Sequence, residues 1–185
     1  MMGTRRIVAV TAPSGAGKTT LVRRILGAFP ALHYAVSVTT RPPRPGEVHG
    51  QDYFFVSQQR FRNLMAADAL FEYEEVYPGR FYGTPRSELE GSGPPVLVDV
   101  DVVGACRLRR LDDRLVIFVA PPSLEVLRER LVARGTESGA SLQARLARAS
   151  EELRYIDRFD AVIVNDDLEQ AARTAVNLVS DFLES

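Results

Sequence analysis

Lys18 is the only lysine of the chain: of 23 lysine and arginine side chains, the other 22 are arginine. It stands in the string APSGAGKT, residues 12–19, with Gly15 and Gly17 before it and Thr19 and Thr20 after it. This is the G-x-x-x-x-G-K-[ST] spacing, with Ala12 in the first glycine slot. Backbone N–H groups of such a turn converge on phosphate oxygens, and the helix that follows adds positive potential at its N-terminus. A lysine ammonium is a compact point charge that can follow a terminal phosphate, where a guanidinium is a planar fork.

Two further groups of residues have chemistry to offer. The loop SVTTRPPRPGEVHGQDY places Arg41, Arg44 and Tyr53 close together. Two guanidinium groups and a phenol can hold a second phosphate through charge-assisted hydrogen bonds. Taken alone, RPPRP reads first as a proline-stiffened surface loop or a polyproline II ligand. The third group is acidic. Asp99 and Asp101 close the apolar run PPVLVDVD, and carboxylates at the end of a buried strand call for a reason. Glu72 lies in the patch EYEE and on its own reads as a solvated edge charge.

Regular elements must position these residues. RIVAV, partly β-branched and apolar, predicts a buried strand over 5–11. Leu21, Val22, Ile25, Leu26 and Phe29 mark one face of a helix over 18–28. Strand, Gly-rich turn and helix is the context that the phosphate motif requires. HYAVSVTT predicts a strand, and DYFFV a short one. Ser57 can cap a helix carrying Phe61, Leu64 and Met65. LFEYEEV and the turn PGRFYG read as a hairpin. PPVLVDVD, RLVIFVA and DAVIVN read as core strands. Ser123 caps a helix with Leu124, Leu127 and Leu131, ARGTESGAS interrupts it, and an arginine-rich helix runs to about residue 157. Asp167 and Gln170 have capping-box spacing before the last helix.

Apolar strands alternating with helices imply an α/β fold, a parallel sheet covered on both faces. Ligands of such sheets bind beyond the carboxyl ends of the strands. Residues 37–92 break the rhythm and predict a small β-rich insertion over that edge, suited to a second substrate.

At 185 residues one domain with small lobes is expected. A formal net charge of −1 argues against a generally basic nucleic-acid binder. One cysteine, Cys106, and two histidines exclude an internal disulfide and a Cys/His metal cluster. No apolar run reaches membrane-span length, and MMGTRR enters the first strand almost at once, so no signal peptide is expected. A reducing, cytoplasmic setting follows as the default.

The chain resembles the guanylate kinases. The resemblance covers nearly all of it and rests on the P-loop, SVTTRPPRPGEVHGQDYFFVS, LFEYEEV…RFYGT, VLVDVDVVGA, IFVAPPSLEVLRERLVARGTES, QARLARASEEL and VNDDLEQA, in family order. It implies a P-loop NTPase three-layer fold with a parallel core sheet (1–36, 93–122 and 159–185), a small α/β GMP-binding lobe (37–92) and a helical lid (about 123–158). It implies transfer of the ATP γ-phosphate to GMP, giving GDP and ADP, with Mg²⁺ as cofactor. It also implies dGMP as a substrate, and no nucleic-acid or membrane partner.

The same resemblance implies residue roles. Ala12, Pro13, Ser14, Gly15, Ala16, Gly17, Lys18, Thr19 and Thr20 match the ATP-binding loop, and Arg130, Arg134 and Asn165 match further ATP contacts. Arg41, Arg44, Tyr53 and Tyr82 match ligands of the GMP phosphate. Glu72 and Asp101 match guanine readers, with Ser37 and Thr84 beside the base. Lys18, Arg41, Arg134 and Arg145 are expected to carry catalysis, with Arg148 as a further candidate. The Thr19 hydroxyl would bind Mg²⁺ directly and Asp99 through water. The chemistry is consistent: ionised carboxylates only accept hydrogen bonds and suit the guanine N1–H and NH₂, while hydroxyls can donate to O6.

YPGRFYG looks one residue longer than the common family hairpin. Two other readings stay open at this point: a guanylate-kinase-like module that binds proteins, and a kinase for another phosphorylated substrate. Intact Lys18, Thr19 and Asp99 speak against the first, and Glu72 with Asp101 against the second. Monomer and homodimer both remain open.

Overall fold

The computed structural model describes residues 5–133 and 139–185. The first strand, β1 (Ile7–Thr11), leads through the turn at 12–17 into α1 (Lys18–Ala28). β2 (His33–Ala35) follows, then β3 (Val38–Thr39), β4 (Phe54–Phe55), α2 (Gln58–Ala66), β5 (Leu70–Tyr77), β6 (Arg80–Pro85) and α3 (Arg86–Leu89). The chain continues with β7 (Val96–Val100), α4 (Val102–Leu108), β8 (Arg114–Ala120), α5 (Leu124–Ala133) and α6 (Gly139–Leu153). A 3₁₀ turn (Ile156–Arg158), β9 (Ala161–Val164) and α7 (Leu168–Glu184) complete it.

Five strands form a parallel sheet in the order β2-β7-β1-β8-β9. Alternation along β1 divides the core. Val8 and Val10 pack on one face with Leu21 and Ile25 of α1 and Ala175 and Val179 of α7. Ile7 and Ala9 pack on the other with Ala105 and Leu108 of α4. Both faces are therefore covered, as continuous apolar strands demand.

HYAVSVTT is not one strand. Its first half, β2, pairs with β7 in the main sheet, and its second, β3, pairs with β4 and β6 in a separate four-stranded sheet, β4-β3-β6-β5. The apolar pattern continues through the break because each half is inserted into a different sheet. Local hydrophobicity does not reveal where the chain changes layers.

Three sequence-predicted helix starts are made by side chains. Ser57 Oγ accepts from Arg60 N–H at 3.1 Å, Ser123 Oγ from Val126 N–H at 3.2 Å, and Asp167 Oδ1 from Gln170 N–H at 2.7 Å. α6 ends at Leu153, four residues before the expected 157.

The β5–β6 ladder shifts register twice, between Leu70 and Glu72 and between Glu75 and Tyr77. Glu75 faces Phe81 and Tyr77 faces Arg80, so Val76 has no counterpart in the ladder. The turn itself is the two residues Pro78 and Gly79, with Gly79 at φ 74°. Val76 is thus accommodated as a bulge inside the strand while the turn stays tight.

Candidate active site

The carboxyl ends of β1 and β7, the turn at 12–17, the small sheet and the middle and C-terminal turns of α6 enclose a cleft of about 370 Å³. The phosphate turn forms its floor. Gly15 and Gly17 both take positive φ, 94° and 100°, a conformation that glycine alone adopts without strain. At Gly17 a Cβ would also lie 2.1 Å from Asn165 Nδ2.

That contact places Asn165 at the phosphate turn. Its side chain is 5% exposed and donates from Nδ2 to the carbonyl of Ala16 at 2.8 Å. The side chain expected on the adenine side thus also buttresses the phosphate turn from behind. The Asn165 backbone carbonyl in turn accepts from Arg130 Nη2 at 2.9 Å, while Arg130 Nη1 is buried without a hydrogen-bond partner in the cleft wall. An orphaned guanidinium donor of this kind suits an anionic ligand.

Lys18 Nζ donates to the carbonyl of Val100 at 2.9 Å and forms an ion pair with Asp99. An ammonium has three donors, so these two contacts leave one for a ligand. Asp99 Oδ1 is buried and, beyond that ion pair, accepts no hydrogen bond of ordinary geometry. Thr19 and Thr20 are exposed, and both line the cleft. Among the described residues no cluster of three or more His, Cys, Asp or Glu could hold a metal alone. One hydroxyl and one under-satisfied carboxylate nevertheless fit Mg²⁺, which keeps several waters and shares phosphate oxygens.

Opposite the phosphate turn, Arg41 is 5% exposed. Its Nη1 and Nη2 pair with Glu47 Oε2 and Oε1, both at 2.8 Å, and its guanidinium lies over the rings of Tyr53 and Phe55 at 5.4 and 5.6 Å. Its Nε is buried with no partner, a further unspent donor beside the cleft. Glu47 Oε2 also accepts from the Arg44 N–H at 2.6 Å. Burial alone would raise the Glu47 carboxyl, but the Arg41 fork and the Arg44 amide hold it below the usual carboxylate range. Sequence reasoning missed Glu47. The available signal was an acid between two arginines and a tyrosine, six residues after Arg41. Tyr53 and Tyr82 meet edge to face with centroids 6.0 Å apart. Burial, then the Asp99 charge, pushes the Tyr53 phenol well up, so it stays a neutral donor.

Glu72 is 4% exposed, and burial, with the Asp101 charge added, raises its carboxyl from an ordinary 4.5 to about 7. Thr84 works the other way, donating to Glu72 Oε1 at 2.6 Å. Thr84, expected beside the base, here holds the Glu72 carboxylate through its hydroxyl. Asp101 caps α4, its Oδ1 accepting from Gly104 N–H at 2.7 Å. A Cβ on Gly104 would come within 2.6 Å of Glu72 Oε2 and 3.4 Å of Asp101 Oδ1. Glycine here is what lets both carboxylates approach one point. Ser37, 7% exposed, also borders the cleft.

From α6, Arg145 Nη1 donates to Ser14 Oγ at 2.9 Å. Arg134 lies outside the described residues.

A parallel sheet whose first strand passes through a glycine-bearing phosphate turn into α1, with a lysine and an acid from the adjoining strand at its mouth, defines a P-loop nucleotide-binding protein. The sequence profile of the family described as guanylate kinase matches residues 4–183. A guanylate kinase of Salinibacter ruber is 51% identical over 188 residues, covering 100% of both chains. One of Symbiobacterium thermophilum is 46% identical, covering 89% of this chain and 80% of the relative. The crystal structure of guanylate kinase from Anaplasma phagocytophilum superposes with a TM-score of 0.76 at 31% identity, over 97% of this chain and 87% of that one. A shikimate kinase structure from Bacteroides thetaiotaomicron, at 16% identity, TM-score 0.51 and coverage of 99% of this chain and 100% of that one, shares the fold alone. The chain belongs to the guanylate kinase family.

Proposed function

We propose that this chain transfers the γ-phosphoryl group of ATP to GMP, with dGMP as a second acceptor, giving the nucleoside diphosphate and ADP. The observation that carries the reading is one cleft with a phosphate turn at one end and two converging carboxyl groups, Glu72 and Asp101, at the other. Membership of the guanylate kinase family supports it.

In this reading residues 37–92 hold GMP and about 123–158 act as the lid over a core of 1–36, 93–122 and 159–185. Arg41, Arg44, Tyr53 and Tyr82 bind the GMP phosphate. Glu72 and Asp101 accept from the guanine N1–H and NH₂, and Ser37 lies beside the base. Adenine lacks that pair of donors and would leave a buried carboxylate unpaired, which is costly in a closed site. The turn from Ala12 to Thr20, with Arg130, takes the ATP phosphates, and Arg134 completes that set from the lid. Mg²⁺ supplies charge neutralisation when bound, and Thr19 directly and Asp99 through water would hold it.

The acceptor phosphate oxygen is already ionised at neutral pH, so no general base is required. The chain's task is alignment and charge: Lys18 and Arg145 at the transferring group, Arg41 fixing the acceptor in line. No helix among the described residues is long and apolar enough to cross a membrane. The reading places the enzyme in the cytoplasm, acting on small molecules and not on nucleic acid.

The deciding experiment is a coupled ADP-release assay across GMP, dGMP, IMP, AMP, CMP and UMP. Turnover confined to GMP and dGMP, with IMP weak for want of the 2-amino group, is expected. Equal turnover of AMP, or none of any, would overturn the reading.

Glu47 gives a second test. Glu47→Gln keeps one acceptor but breaks the bidentate pair that orients Arg41, so GMP affinity is expected to fall by about 1.5–3 kcal/mol. ATP affinity should stay unchanged. Calorimetric titration with each nucleotide checks this, and parental GMP affinity would make Glu47 a bystander.

A further inference from the structure

Arg148 sits one turn after Arg145 on α6, where an extra contact to ATP phosphate was expected. Its donors go elsewhere. Nε donates to Glu152 Oε1 at 2.8 Å on its own helix. Nη1 donates to the Val76 carbonyl at 2.8 Å, and Nη2 to Glu74 Oε1 at 3.3 Å, both on β5. All three nitrogens are engaged by protein acceptors, so three of its five N–H donors tie α6 to itself and to β5.

The acceptors on β5 have a specific origin. Val76 is the residue that the second register shift, between Glu75 and Tyr77, leaves without a counterpart in the β5–β6 ladder. A bulged residue drops out of strand pairing, and here its carbonyl is the one that Arg148 takes. Glu74 lies two residues from Glu72 within a stretch of regular pairing, so both carboxylates stand on the same face of the strand. The two arginines also share Tyr77, with Arg145 and Arg148 over its ring at 5.5 and 5.9 Å. Burial raises the carboxyls of Glu74 and Glu152, and the Arg148 charge opposes that rise in both. One helix thus touches the phosphate turn through Arg145 and the strand bearing Glu72 through Arg148.

We propose that Arg148 is a positioning residue that docks α6 onto Glu74 and the bulged carbonyl of Val76 and thereby sets Arg145 over the phosphate turn. This rests on the GMP-kinase reading of the same cleft. Such a latch stabilises one arrangement of α6 that both substrates need, so its loss acts on both alike. A ligand contact would act on one.

The experiment measures kcat/KM for GMP and for ATP, with thermal midpoints, in the parent, Arg148→Ala, Glu74→Ala, the double variant and Arg148→Lys. Each alanine variant is expected to lose about tenfold in kcat/KM for both substrates by the same factor. The double variant should be no worse than the worse single, because one contact is removed twice. Arg148→Lys should recover part of the loss. Thermal midpoints within the spread of ordinary surface substitutions would separate the effect from general instability.

A loss confined to ATP would make Arg148 an ATP ligand, and one confined to GMP would make Glu74 a substrate contact. Additive losses, or none, would also overturn the latch. An inactive parent would instead defeat the kinase reading, since the latch is judged only by ratios to an active parent.

Discussion

Replacing Lys18 by alanine is expected to lower turnover about 10²–10³-fold, the loss typical of a preorganised donor at a developing charge. Lys18 is the single lysine of the chain and lies at the mouth of the phosphate turn, held by the Val100 carbonyl and Asp99. Those two contacts fix the direction of the remaining donor, so the group is already aimed before a phosphate arrives. Truncation has a second effect. Asp99, whose side chain is 9% exposed, loses its ion-pair partner, and a nearly buried carboxylate left alone costs about 1–3 kcal/mol of stability. The variant should therefore fold with a lower midpoint and bind GMP close to the parental affinity. Lys18→Arg should not restore turnover, because a planar fork cannot occupy the place of a point charge. Stopped assays at saturating ATP and GMP, with a denaturation curve on the same sample, check all three points. Near-parental turnover in a folded Lys18→Ala protein would remove Lys18 from catalysis.

Glu72→Gln is expected to weaken GMP by about 1.5–3 kcal/mol and yet to stabilise the fold above neutral pH. The two effects have one cause. Glu72 is buried beside Asp101, which raises its carboxyl from 4.5 to about 7. An unfolded chain ionises this group near 4.5, while the folded chain keeps its proton until about 7. The favourable contribution is fully present below pH 4.5, is lost as pH rises through 7, and leaves a penalty of about 3 kcal/mol above that. Glutamine does not titrate and keeps an oxygen for the Thr84 hydroxyl. Its advantage should appear at pH 8 and vanish near pH 4.5.

In the proposed reading guanine binds the ionised form, so GMP binding near pH 6 should release a proton. The binding heat should then change with the ionisation enthalpy of the buffer. Urea unfolding at pH 4.5 and 8, with calorimetry in two buffers at pH 6, tests the pair of statements. Equal stability differences at both pH values, together with buffer-independent heats, would show that Glu72 is ionised throughout.

Much of this protein was legible in one dimension because the governing interactions are local. The phosphate turn is a run of eight residues whose glycines are required by backbone conformation, and its strand and helix announce themselves by periods of 2 and 3.6. Ser57, Ser123 and Asp167 satisfy amides only three residues away, so capping was readable directly. Arg41 and Tyr53 were readable as neighbours because the loop between them is short.

The tertiary structure decided whatever depends on partners distant in sequence or on burial. Asn165 meets Ala16 across 149 residues and Arg148 meets Glu74 across 74; no local pattern records either approach. The split of residues 33–39 between two sheets was invisible because both sheets ask for the same apolar, β-branched residues. The sequence named Glu72 as an acid beside other acids, but its protonation follows from desolvation, and desolvation is a property of the packed surroundings. Chemical type and short-range geometry are encoded locally; the environment that tunes each group exists only once the chain has folded.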